Sequence, residues 1–240
     1  MKNKLEFLDI NFNYGNLNSC LKFIKNTINS NKKTYISTVN VGKLVQANRD
    51  EKLKNIINQS GLITIDGMGI IFALNYFYKK KFIRVTGIDI LSKILKDFHT
   101  EIFFLGSKQS VLKDFINQIK LRHQNIIISG YHHGYNLIDI DIIKKINDSG
   151  AKILAIGMTS PLQEEFIFRN FENLNVNVAI LVGGSFDVLS GNIKRAPILM
   201  QKLGMEWVFR IFMEPKRLFL RYLDTNFAYL ILILKKLFQK

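Results

Sequence analysis

The sequence predicts an α/β fold, a mainly parallel sheet covered by helices on both faces, with a helical appendage at its C-terminal end. Three observations carry that expectation. Short runs rich in β-branched and aromatic residues recur along the chain, helical periodicity fills most of the stretches between them, and the composition turns basic and aromatic after residue 193. Strand and helix in alternation is the pattern of a parallel sheet with both faces buried. With 240 residues, 48% hydrophobic and 22% charged, the chain has the balance of a globular protein and is too apolar to be disordered. The sheet domain is placed at residues 1–193 and the appendage at residues 194–240.

The predicted strands are Thr34 to Val39, Leu62 to Ile65, Ile102 to Leu105, Ile126 to Ser129, Ile153 to Ile156 and Val178 to Val182. After the first, Leu44, Ala47, Leu53, Ile56 and Ile57 fit one face of a helix, with Arg49, Asp50, Lys52 and Lys54 largely on the other. Val111, Leu112, Phe115, Ile116 and Ile119 make a second apolar face beyond Gly106-Ser107, and Ile138, Ile142, Ile143 and Ile146 a third. Cys20 falls in a predicted helix with Leu21, Phe23 and Ile24, where it reads as a small buried hydrophobe. As the sole cysteine it excludes a disulfide framework and a multi-cysteine metal site.

Two further segment classes are not expected. The N-terminal MKNKLEFLDINFNYGN lacks the unbroken apolar core of a signal peptide. The longest late apolar run, Phe227 to Leu234, meets Lys235 and Lys236 well short of the roughly 20 residues that span a bilayer. The expectation is a protein made and kept in the cytoplasm.

Charge supplies the first functional clue. Lys and Arg number 34 against 19 Asp and Glu, a net +15 that predicts an anionic partner: nucleic acid, an anionic membrane or a phosphorylated substrate. The appendage holds ten Lys/Arg against Glu206, Glu214 and Asp224, interleaved with Trp207, Phe209, Phe212, Phe219, Tyr222, Phe227, Tyr229 and Phe238. Arg210, Glu214, Arg217 and Arg221 are spaced to share a helical face. Basic charge mixed with large aromatics describes a helix lying in a membrane interface; the alternative is a helical pair packed on the sheet, its charges solvated.

Ligands of parallel sheets sit beyond the carboxyl ends of the strands, and the informative residues cluster there: Thr38-Val39-Asn40, Asp66-Gly67-Met68-Gly69, Gly106-Ser107, Gly157 to Pro161 and Gly183 to Asp187. Glycines let backbone amides approach a phosphate, and the helix starts that follow favour negative charge. Gly67-Met68-Gly69 opens like a dinucleotide fingerprint, but Phe72 at the sixth position is expected to block close helix–sheet approach. There is no GxxxxGK[ST] run and no GxSxG elbow. His132-His133 has no further His or Cys nearby and reads as a turn before Gly134-Tyr135 rather than a metal site. Asp66, flanked by glycines at a strand end, is either a general base open to a cleft or the N-cap of a following helix.

Read together, these motifs resemble one family, the bacterial WecG/TagA/CpsF glycosyltransferases. The resemblance runs from about Thr34 to Tyr222 through the loops just named. It takes in Arg84-Val85-Thr86-Gly87-Ile88-Asp89, Phe104-Leu105-Gly106, Gly130 with Gly134-Tyr135, Gly157 with Pro161-Leu162-Gln163-Glu164, and Gly183-Gly184-Ser185-Phe186-Asp187. It continues through Lys194-Arg195-Ala196-Pro197, Gly204-Met205-Glu206-Trp207, Arg210, Glu214-Pro215 and Arg217. Leu162 stands where the family usually has Lys, Phe166 replaces a usual Trp, and Leu199 occupies a position often Trp.

The resemblance implies a Rossmann-like core and an inverting transferase that needs no metal or cofactor. It would move an N-acetylmannosamine-type sugar from a UDP donor to a GlcNAc on undecaprenyl diphosphate, in making a surface polysaccharide such as teichoic acid, common antigen or capsule. It implies peripheral docking on the cytoplasmic face of the bacterial membrane. Asp66 would be the general base, with Thr38, Asn40 and Gln163 lining the sugar site and Arg84 supporting it. Gly67, Gly69, Gly106, Gly157, Pro161, Glu164, Gly183, Gly184 and Asp187 would form the donor side. Arg195, Arg210, Arg217 and Arg221 would meet the lipid diphosphate or anionic head groups. Two rival readings are a non-catalytic UDP-sugar-binding subunit and a nucleic-acid-binding protein. Against the latter, the positive charge is densest in the appendage and no DNA or RNA motif appears.

Overall fold

The computed structural model describes residues 3–123 and 125–238, apart from the side chains of Lys202 and Arg217. Six parallel strands form the expected sheet: β3 (Thr34–Val39), β4 (Leu62–Ile65), β5 (Glu101–Gly106), β6 (Ile127–His132), β7 (Ile153–Gly157) and β8 (Val178–Leu181). Their order is β4-β3-β8-β7-β5-β6. Every residue of β4, β7 and β8 is buried, as strands covered on both faces must be, and this is why they read as continuous apolar runs.

One face carries α1 (Leu17–Asn29), α5 (Gly87–Asp97), α6 (Gln109–Arg122) and α9 (Ser185–Leu189), whose Leu21, Ile94, Phe115 and Phe186 pack in one cluster with Ile36, Phe104 and Ile180. The other carries α2 (Val41–Arg49), α3 (Glu51–Asn58), α4 (Met68–Tyr78), α7 (Asp139–Asp148) and α8 (Leu162–Asn170), followed by a 3-10 turn over Phe171–Asn173. The helices after the neighbouring strands β5 and β7 lie on opposite faces, α6 on one side and α8 on the other. That divergence opens a crevice at the carboxyl edge.

Three local expectations change. The single helix read across Leu44 to Ile57 is two, broken at Asp50, whose carboxylate accepts from Leu53 N at 3.2 Å and caps α3. The basic face from Arg210 to Arg221 is likewise divided: α11 (Glu206–Met213) ends before Glu214, and Pro215 starts α12 (Pro215–Phe238), so Arg210 and Arg221 lie on different helices. Phe72 does not obstruct the sheet; it is 54% exposed on the outside of α4, next to Gly204.

The structure also adds an antiparallel hairpin, β1 (Asn3–Phe7) and β2 (Ile10–Tyr14), turning through Leu8 and Asp9, both at positive φ. Its Asn13 side chain accepts from Ile63 N at 2.8 Å, so the hairpin satisfies a free amide on edge strand β4. Cys20 is buried in α1, and burial pushes its thiol up to about 12.

The C-terminal segment runs through α10 (Ile198–Lys202) and α11 into α12. One face of α12 packs on the body: Tyr229, Ile233 and Leu237 join the cluster of Phe7, Phe12, Ile70 and Leu74, and Asp224 pairs with Arg49 at 2.7 and 3.0 Å. The opposite face exposes Phe219, Leu220, Leu223, Phe227, Leu230, Leu234 and Phe238. No helix among the described residues is long and apolar enough to cross a membrane.

Candidate active site

Parallel strands deliver the loops after β3, β4, β8, β7 and β5 to one edge. In register, Val39 pairs with Ile65, Ser37 and Ile156 both with Leu181, and Gly106 with Gly157. Asn40 and Asp66 therefore emerge side by side, and Asp66 N donates to Val39 O at 2.9 Å. Gly67 makes the closeness possible, because a Cβ there would press on the main chain of Asn40 and Val41. A Cβ at Gly69 would press on the Val41 side chain, and Gly69 lies under Tyr229, whose hydroxyl donates to Gly69 O at 3.0 Å.

Asp66 does not cap α4. The capping position is Gly67, with no side-chain bond, and the Asp66 carboxylate is instead gripped by Arg84. The Arg84 segment is pinned along β4 by Val85 N to Ile65 O at 2.9 Å and Thr64 Oγ1 to Val85 O at 3.0 Å. From there Arg84 Nε donates to Asp66 O, and Nη2 reaches Asp66 Oδ1 at 3.1 Å and Glu206 Oε2 at 2.8 Å. Burial works against the Arg84 charge, but Asp66 and Glu206 outweigh it and raise its pKa above the ordinary value. Asp66 Oδ2 has no hydrogen-bond partner among the described residues, and the side chain is 22% exposed. A carboxylate oriented through one oxygen, with the other open, can accept a proton.

Around this pair, Thr38 Oγ1 donates to Leu181 O at 3.1 Å, and Gly87 lies close enough to Thr38 and Val182 that a Cβ would crowd both. Asn40 caps α2, accepting from Lys43 N at 2.9 Å. Gln163 and Glu164, buried at the start of α8, sit beneath the loop after β8: Gln163 Oε1 accepts from Gly183 N at 3.1 Å, and Gln163 Nε2 donates to Glu164 Oε1 at 2.9 Å. Glu164 Oε1 also meets Lys43 Nζ at 2.7 Å. Burial would raise the Glu164 pKa, but the Lys43 charge and the hydrogen bonds prevail and hold it below the ordinary value.

A second cluster lies over β5 and β7. Gly106, at φ +127, meets Gly157, Gly157 meets the Phe186 ring, and Gly134 packs on Gly106 and Met158, each too closely for a Cβ. Ser107 Oγ donates to Asp187 Oδ2 at 3.3 Å. Beside it, Lys108, Gln109, His133 and Tyr135 line a cavity of about 260 Å³. Pro161 precedes α8, and Gly183 and Gly184 lead into α9.

Of the four expected arginines, the three whose side chains are described make separate contacts. Arg195 pairs with Asp89 in the first turn of α5 at 2.8 Å, and Arg210 Nη2 lies 3.8 Å from Glu206 Oε1, linked through it to Arg84. Arg221 stands over its neighbour Tyr222, and the Arg217 side chain lies outside the described residues. Among those residues no group of three His, Cys, Asp or Glu is placed to hold a metal ion; His132 ends β6, its Nδ1 at 2.8 Å from His133 O.

Two site residues escape sequence reasoning. Glu206 shows only as part of a motif, since its partner Arg84 is distant in sequence. Lys43 leaves one local trace: three residues after an N-cap, capping boxes prefer Glu or Gln, and a cation there opposes the helix dipole.

A parallel α/β sheet with glycine loops and an oriented carboxylate on its carboxyl edge defines a Rossmann-like enzyme scaffold. The profile of the Glycosyl transferase WecG/TagA/CpsF family matches residues 5–240, and the chain belongs to that family of glycosyltransferases. A relative from Bacillus subtilis (strain 168), N-acetylglucosaminyldiphosphoundecaprenol N-acetyl-beta-D-mannosaminyltransferase, is 32% identical over 207 residues, covering 84% of this chain and 80% of its own. A relative of the same name from Staphylococcus aureus (strain MW2) is 30% identical over 222 residues, covering 90% of this chain and 87% of its own.

Proposed function

We propose that the protein transfers an N-acetylmannosamine-type sugar from a UDP donor to N-acetylglucosamine carried on undecaprenyl diphosphate, in the synthesis of a surface polysaccharide. The names of its relatives support the transferred sugar and the lipid acceptor. The observation that carries the chemistry is the Asp66 carboxylate at the sheet edge, turned away from the helix cap and oriented by Arg84 through Oδ1, with Oδ2 lacking a hydrogen-bond partner among the described residues.

Asp66 takes the proton of the acceptor hydroxyl as its oxygen attacks the anomeric carbon, and the bond to UDP breaks with its electrons leaving on the diphosphate. One displacement inverts the configuration. Thr38, Asn40 and Gln163 border the sugar, and Arg84 keeps the base in place. The loops at Gly106, Gly157 and Gly183, with Gly67, Gly69, Pro161, Glu164, Gly184 and Asp187 around them, hold the donor. Main-chain amides and the N-termini of α6 and α8 offset the negative charge that grows on UDP, so the reaction is read as needing no metal.

The acceptor is a membrane lipid, and the exposed stripe of α12 with its basic residues fits an anionic leaflet. Docking is read as peripheral, on the cytoplasmic face, with Arg195, Arg210, Arg217 and Arg221 meeting head groups or the lipid diphosphate. The sheet core over residues 1–193 and the appendage over 194–240 thereby divide donor chemistry from acceptor docking. The test incubates the protein, with chelator present, with synthetic prenyl-diphosphate N-acetylglucosamine and a panel of UDP-sugars, reading products by mass. One added N-acetylhexosamine from UDP-N-acetylmannosamine is expected; no product from any donor contradicts the reading.

A further inference from the structure

Lys43 has no part in the chemistry above, yet through its buried pair with Glu164 it runs beneath the site. Lys43 is 6% exposed and Glu164 fully buried. Lys43 is the third residue of α2, beyond β3, and Glu164 the third of α8, beyond β7. Because β8 lies between β3 and β7, the pair crosses under the loop that β8 sends out at Gly183. Glu164 Oε1 accepts from Lys43 Nζ and from Gln163 Nε2, which turns the other end of the Gln163 amide onto Gly183 N.

Stability is a poor explanation for this pair. Lys43 stands at the positive end of a helix, and a buried ion pair is often no more stabilising than apolar side chains of similar volume. A pair serving packing alone would also satisfy both carboxylate oxygens, whereas Glu164 Oε2 is buried without a hydrogen-bond partner among the described residues. Of the other charges on α2, α3 and α8, Arg49 pairs with Asp224, Lys52 lies over Phe168, Glu51 pairs with Lys54 and Arg169 with Asp139, while Glu165 is half-buried next to Glu164 in sequence.

We propose that Lys43 is a positioning residue for the donor side of the site. Acting through Glu164, it sets the Gln163 amide and the Gly183 turn, and so holds the loops after β3, β8 and β7 as one unit. The inference rests on the glycosyl-transfer reading and extends it to a residue that touches no substrate.

The test compares full-length wild type with Lys43→Met, using UDP-N-acetylmannosamine and synthetic prenyl-diphosphate N-acetylglucosamine. Donor kcat/KM is expected to fall at least about tenfold while acceptor KM stays within about twofold. The loss should be larger at about pH 6.5 than at about pH 8.5, because a desolvated Glu164 without its cation protonates more readily. Lys43→Arg should restore most of the activity. The double variant Lys43→Met, Glu164→Met removes both buried charges and should recover the melting temperature without recovering turnover. Unchanged donor kinetics in Lys43→Met, or turnover regained by the double variant, overturns the proposal; if Lys43→Met does not fold, the double variant decides. If wild type transfers nothing, the functional reading fails separately and UDP affinity decides: a fall of at least about fivefold in Lys43→Met supports the positioning role, and no change overturns it.

Discussion

At Arg84 one guanidinium serves two carboxylates, and each contact has a different reach along the chain. Asp66 comes from the neighbouring strand end, and Glu206 from the start of α11. The pairing of Asp66 with the basic residue that follows the next helix was half legible, because both stand in recognisable motifs at strand edges. Glu206 stood in a motif and Lys43 on a helix, but their pairings were not legible, since a single charge among apolar neighbours names no partner until the distant carboxylate or guanidinium is placed. Glu164 also makes a prediction about acid. Its folded pKa lies below the ordinary value of 4.5, so its contribution to stability is complete above that value and is lost as pH falls through the lower, folded one. Thermal unfolding of wild type and Glu164→Gln should show a constant difference in Tm above about pH 4.5, narrowing below it. A difference that widens on acidification would mean that Glu164 is protonated in the fold.

Among the elements, the buried strands were legible because burial on both faces demands runs of Ile, Leu and Val, with little room for other residues. The hairpin of β1 and β2 was not, since its turn residues Leu8 and Asp9 lack the Asn-Gly pattern that usually marks two positive φ angles. The break between α2 and α3 was hidden because the apolar spacing continues across Asp50 while the backbone does not. The long α12 has one face on the core and a second, apolar and exposed, facing outward. Replacing Phe219, Leu223 and Phe227 by Ser should weaken binding to phosphatidylglycerol vesicles at least about tenfold, because burying such side chains is worth about 1.5–3 kcal/mol each. The melting temperature should hardly change, since all three are at least half exposed. Vesicle binding equal to wild type, measured by co-sedimentation, would place the membrane contact elsewhere.

For the molecule as a whole, periodicity indicates alternating strands and helices but not which strands are neighbours. The order β4-β3-β8-β7-β5-β6 brings residues 38–40, 66, 163 and 183 to one edge, and it depends on long-range packing that a local pattern does not encode. The positive balance of +15 and its concentration after residue 193 are visible in the sequence, whereas the pairing of Arg84 with Glu206 of α11 requires the fold. In the proposed reaction these parts meet at one carboxylate, Asp66, which would accept a proton while donor and lipid-borne acceptor are both bound. The direct measurement is turnover of Asp66→Asn with UDP-N-acetylmannosamine and the prenyl-linked acceptor, alongside UDP-sugar affinity by calorimetry. A loss of at least about a hundredfold in kcat with affinity near wild type is predicted. Turnover preserved in that variant would contradict the role given to Asp66.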